Sequence, residues 1–127
     1  MHNATLKYIR DELSREGINY QFGEWSSDPI PNVYFVGEYD EFEPEQEDGL
    51  QEINFRLTGV TNKTWLQLEE KRAIIESVFN KISGNTAILE GGLGVAVFYT
   101  STTIIPVDNY AIKRLQINLK ILEWSVR

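Results

Sequence analysis

The run Gly37–Gly49, GEYDEFEPEQEDG, holds seven carboxylates in thirteen residues: Glu38, Asp40, Glu41, Glu43, Glu45, Glu47 and Asp48. Clustered carboxylates can ligate a hard cation, exchange protons as an acid–base pair, or set up a field that steers a charged partner. A calcium loop needs a glycine midway for its sharp turn, a bidentate glutamate at its end and a helix on either side. No glycine lies between Glu38 and Asp48, and the flanking segments alternate as strands. A metal site is therefore disfavoured. The commonest fate of such a charge run is a solvated loop, and a field that repels nucleic acid or attracts a basic surface is the functional alternative.

The remaining candidates for chemistry are weaker. There is no cysteine, which removes disulfides, thiolate metal sites and cysteine nucleophiles together. The single histidine, His2, sits in a terminus expected to fray and makes a poor base or ligand. The segment GGLGVAV resembles a dinucleotide fingerprint, but Val97 stands where the third small residue belongs and a strand follows instead of a helix. A glycine-rich hairpin or bulge is the better account. Glu69, Glu70 and Glu76 are helix-surface glutamates without a readable pocket. No nucleophile, base and orienting group can be assembled, so no catalytic residue, metal ligand or cofactor is assigned.

The net charge of -7 conceals an asymmetry. From Ile18 to Phe55 there are ten Asp or Glu and no Lys or Arg, whereas the rest of the chain carries nine acids against twelve bases. A protein that grips phosphates shows a basic stripe, so direct nucleic-acid binding is disfavoured. At 127 residues with 42% hydrophobic and 24% charged, the composition is that of one soluble globular domain spanning 1–127. Apolar runs are too short to cross a bilayer, and MHNATLKYIRDEL lacks the apolar stretch of a secretory signal, which predicts an intracellular protein without a membrane partner.

Leu6, Ile9 and Leu13 recur at helical spacing before Gly17, which predicts a short amphipathic helix over 5–16. INYQFGEW alternates as a strand, SSDPIPN breaks it with two prolines, and NVYFVGEYDEF resumes as a β-branched and aromatic strand. QEINFRLTGV alternates again, with Ile53, Phe55 and Leu57 on one side. Helical period returns over 64–83, where Leu68, Ile75, Phe79 and Ile82 share a face and Thr64 with Gln67 forms a capping box. TAILE, GVAVFYT and a long strand over 112–126 complete the order α-β-β-β-α-β-β-β. The prediction is an α+β fold, an antiparallel-rich sheet of five or six strands with two helices packed on one face.

Tyr8, Trp25, Tyr34, Tyr39, Trp65 and Trp124 are expected mainly in the core, which a helix-covered sheet must fill with large side chains. In YFVGEY both parities are apolar, so both faces of that strand want cover, and Tyr34, Val36 and Tyr39 become candidates for an interface.

The middle third of the chain, VYFVGEYDEFEPEQEDGLQEINFRLTGVTNKTWLQLEEKRAII, resembles small structural proteins of long-tailed phages and prophages of Gram-positive bacteria. The strand VYFVGEY, the EDG turn, the strand FRLTG and the helix start TWLQLEEKR carry the likeness. The two-helix, sheet-rich outline is also similar to the tail-terminator, or tail-completion, family. That resemblance implies a non-enzymatic homo-oligomer, a ring of the hexameric kind, which caps the tail tube and meets head–tail connector proteins. It implies assembly in the host cytoplasm, a final place in the virion neck, and DNA that passes without being specifically bound. Head-closure and adaptor proteins of the neck are comparably small. An acidic inhibitor that mimics nucleic acid, or a metal-dependent enzyme built on the acidic cluster, would read similarly. In a ring, an acidic lumen offers phosphates no fixed cations, and Lys113, Arg114, Lys120 and Arg127 could complement the acidic loop of the next subunit.

Overall fold

Alternation of apolar and polar residues fixes one face of the sheet. Ile53, Phe55 and Leu57 stand directly opposite Ile121, Leu119 and Ile117, and all six are fully buried. The computed structural model describes residues 1–41 and 49–126. Its elements run α1 (Asn3–Arg15), β1 (Tyr20–Phe22), β2 (Val33–Glu41), β3 (Gln51–Thr61), α2 (Trp65–Val78), β4 (Asn85–Leu89), β5 (Leu93–Ile105) and β6 (Lys113–Ser125). The α+β class and the predicted order are both observed. The strands form one sheet in the order β1-β2-β3-β6-β5-β4, antiparallel throughout except for the parallel β1–β2 pair.

Both helices cover the face that carries Phe35, Phe55, Val97 and Ile117. Ile9 and Leu13 of α1 and Leu68 and Ile75 of α2 share one buried cluster with these strand residues. Gly59 lets Phe35 and Leu68 approach, since a Cβ there would collide with the Phe35 ring. α1 ends as its sequence dictates: Gly17 adopts φ +73°, and the N–H groups of Gly17 and Ile18 return to the carbonyls of Ser14 and Leu13. The N-terminus of α2 is capped by Thr64, whose hydroxyl accepts from the Gln67 N–H at 3.2 Å.

Three expectations are corrected. α2 stops at Val78, not 83, because Asn80 Oδ1 accepts from the N–H groups of Ile82 and Ser83 and turns the chain. Ile82 is consequently 90% exposed while Phe79 stays buried. β1 keeps only Tyr20–Phe22, since Gly23 at φ +84° ends it. β5 is longer than GVAVFYT and continues to Ile105 through a bulge between Tyr99 and Ser101. Beyond that bulge Thr102 and Ile104 face the helix-covered side, opposite Ile117 and Leu115. The GGLG segment is a hairpin turn between β4 and β5, with Gly91 and Gly92 at φ +83° and +79°.

Candidate interaction surface

The acidic run begins on β2. Glu38 and Asp40 project from the face that the helices leave open, and Arg56 of β3 stands directly opposite Glu38. The guanidinium bonds Glu38 at 3.4 Å and pairs with Asp40, which raises the Arg56 pKa chiefly through the Asp40 hydrogen bond. Glu41 meets the N-terminal amine of Met1 at 2.5 Å. The cation-free reading of this third of the chain is thus incomplete, because Arg56 lies one residue past Phe55 and cross-strand pairing returns it to the acids. Glu43, Glu45, Glu47 and Asp48 lie outside the described residues. Among the described residues no group of three His, Asp or Glu side chains is placed to hold a metal ion.

The proposed aromatic patch divides by parity. Tyr34 and Val36 lie on the open face, where Tyr34 packs against Trp25 with ring centroids 5.3 Å apart. Tyr39 has the parity of Phe35 and belongs to the helix-covered side, where it stacks on Phe22 at 5.8 Å. The interface candidates Tyr34, Val36 and Tyr39 therefore lie on two surfaces, on opposite faces of the sheet. Nor does the centre of the open face form an apolar surface. Its rows read Val36–Thr58–Gln116–Thr103 and Glu38–Arg56–Asn118–Ser101, polar across most of the sheet. Trp124 lies over Gly94, and the Lys120 ammonium sits 5.3 Å from the Phe98 ring centroid, so the aromatics there have local partners.

His2 is held, not frayed. Its main-chain N–H and its Nδ1 each lie 3.2 Å from the carboxylate of Glu123, which is buried.

Two features at the sheet edges escaped the sequence reading. β4 pairs only with Leu93–Val97, and β1 pairs only with Phe35–Gly37. Among the described residues, β5 from Ser101 to Ile105 and β2 from Glu38 to Glu41 therefore have no outer neighbour strand. Beside the free half of β5 runs a cleft of about 740 Å³, walled by Trp65, Leu66, Thr102, Ile104 and Leu115. Trp65, Leu66 and Ile104 are 43%, 67% and 64% exposed. Arg72 and Glu69 are its charged members, and Arg72 also bonds Glu76 at 2.5 Å and the Tyr99 hydroxyl at 3.0 Å. The Glu69 hydrogen bond, more than the others, raises the Arg72 pKa, so this guanidinium is a fixed cation. No sequence motif marks the cleft; the signal available was the pair of adjacent apolar residues Trp65 and Leu66 at a helix start, which cannot both face the core.

No family model and no curated protein matches the chain. Among solved structures, a chain from the virion of a native gene transfer agent particle has the same fold, with a TM-score of 0.67 and 10% sequence identity. The likeness covers 96% of this chain and 92% of that one.

Proposed function

We propose that this protein is a non-enzymatic structural component of a phage-like particle, and within it a terminator-type ring at the head–tail junction. The observation that carries the reading is the fold shared with a chain of the gene transfer agent virion over almost the full length of both. The resemblance of the middle third to neck and tail proteins of phages of Gram-positive bacteria supports the finer assignment. Its mechanism is surface complementarity. Copies assemble into a ring, the ring meets the tail tube on one side and a connector on the other, and DNA passes through without specific contacts. The acidic third of the chain, with Glu38, Asp40, Glu41, Glu43, Glu45, Glu47 and Asp48, supplies a negative field suited to a channel wall or to a basic partner ring.

Light scattering across protein concentration and salt, followed by electron microscopy of the particles formed, tests this. A fixed ring-sized mass with a central opening is expected. A chain that stays monomeric at every concentration yet binds a basic protein with steep salt dependence would replace the ring with an acidic mimic of nucleic acid.

A further inference from the structure

We infer that copies of this chain join edge to edge, the free part of β2 (Glu38–Glu41) in one copy pairing antiparallel with the free half of β5 (Ser101–Ile105) in the next. The inference deepens the ring reading above and rests on it only for closure.

Each edge of the sheet is stepped. β1 covers the early part of β2, and β4 covers the early part of β5. Counting along the strand order, β2 and β5 run antiparallel within one copy, so the two uncovered stretches lie at diagonally opposite corners. A second copy related by near-translation then lays its β2 stretch along β5 with both steps interlocking. Its β1 falls past the end of β5, and its Glu41 comes level with Thr102, short of the stretch that β4 covers. A parallel approach would drive β1 of the second copy into β5. Near-translation also keeps both sets of helices on one face, so side chains of like parity meet.

The chemistry of the two edges matches in that arrangement. On the helix-covered side, the β2 edge presents Tyr39 and Phe22, the latter 46% exposed. The β5 edge presents Ile104 beside the cleft walled by Trp65 and Leu66. A register with Tyr39 opposite Ile104 makes an aromatic on β-branched cross-strand pair and directs Phe22 toward the cleft. On the open side the same register sets Glu38 beside Ile105, whose partner in β6 is Arg114. Among the described residues Arg114 Nε is enclosed without a hydrogen-bond partner, while Lys113, the residue before it, has the opposite parity and lies on the helix-covered side. One edge is acidic with an aromatic knob; the other carries no charge in Ser101–Ile105, has an apolar cleft beside it, and has Arg114 one strand behind it. These are two different patches, so the contact is heterologous and propagates to a ring or a chain.

The absence of cysteine makes the test clean. Asp40→Cys and Thr103→Cys are made separately at positions exposed in the single copy, and the two proteins are oxidised alone and mixed. The expected result is a disulfide-linked heterodimer in several-fold excess over either homodimer. Leu66→Glu in the Thr103→Cys partner should reduce that product about tenfold or more, since a charge must then enter an apolar contact. Homodimers as abundant as the mixed product, or no mixed product, would overturn the contact. A ring-sized mass for the unaltered protein without mixed product overturns this edge and leaves the ring. Mixed product with masses that grow without limit keeps the edge and removes the ring.

Discussion

The carboxylate of Glu123, on the last strand, accepts hydrogen bonds from the hydroxyl of Thr5 and the main-chain N–H of His2, at the start of the first helix. His2 offers no side-chain cap of its own, so the opposite end of the chain supplies one. Glu123 is 2% exposed and the chain separation is 121 residues, which makes the contact tertiary and its loss costly. Glu123→Ala should destabilise the fold by about 2–4 kcal/mol, since buried donors lose a charged acceptor. Glu123→Gln, which keeps an acceptor, should cost roughly half of that. Urea denaturation of the two variants measures both, and equal midpoints with the unaltered protein would show that α1 does not depend on this cap.

Tyr20 gives the opposite sign. Its hydroxyl is enclosed and makes no hydrogen bond among the described residues, and burial raises the phenol above its ordinary 10.0, with Arg10 opposing. The folded state therefore holds this proton more tightly than the unfolded chain. The resulting stability is complete below pH 10 and is lost as pH rises above it, where the unfolded tyrosine ionises first. Tyr20→Phe should remove that alkaline loss and add about 1 kcal/mol at neutral pH by deleting an unpaired buried hydroxyl. Thermal melts of both proteins at neutral pH and above pH 10 check the two effects together.

The end of α2 separates two apolar residues of equal helical promise. Phe79 is fully buried and Ile82 almost fully exposed, because Asn80 ends the helix between them. Phe79→Ala should cost about 3–5 kcal/mol, whereas Ile82→Lys should change stability by less than about 0.5 kcal/mol. A large loss for Ile82→Lys in urea titrations would mean that the helix continues as the spacing of its apolar residues suggests.

That pair also shows where sequence reading stops. Period alone placed Leu68, Ile75 and Phe79 on the core face correctly, as it did Ile53–Leu57 and Leu115–Ile121, because burial on one face of a regular element imposes its repeat directly. The stop at Val78 depends on one side chain, Asn80, accepting from the main-chain N–H groups two and three residues on, a choice that a repeat does not encode. The same holds for the bulge at Thr100, which moves Thr102 and Ile104 to the helix-covered side and creates the cleft. For the site, the acids on β2 were legible as a cluster, but their partner Arg56 was not, since it is 18 residues from Glu38 in sequence. Free edges are less legible still. They depend on how much of β2 and β5 the short strands β1 and β4 cover, and strand pairing is a long-range property.

Arg56 and its acids provide the electrostatic counterpart of Glu123. The pair Arg56–Glu38 is 3.4 Å long with Glu38 58% exposed, and Asp40 is 51% exposed, so water and salt screen both contacts. Arg56→Gln should therefore cost only about 0.5–1 kcal/mol in dilute buffer. That difference should shrink toward zero near 1 M salt, where the screening length falls to about 3 Å. The Glu123 contact, being buried, should keep its full effect at the same salt. Measuring both variants at low and high ionic strength distinguishes a screened surface pair from a buried cap. A salt-independent loss for Arg56→Gln would instead mean that its guanidinium contributes by packing its stem against Asn54 and Thr58 on the open face.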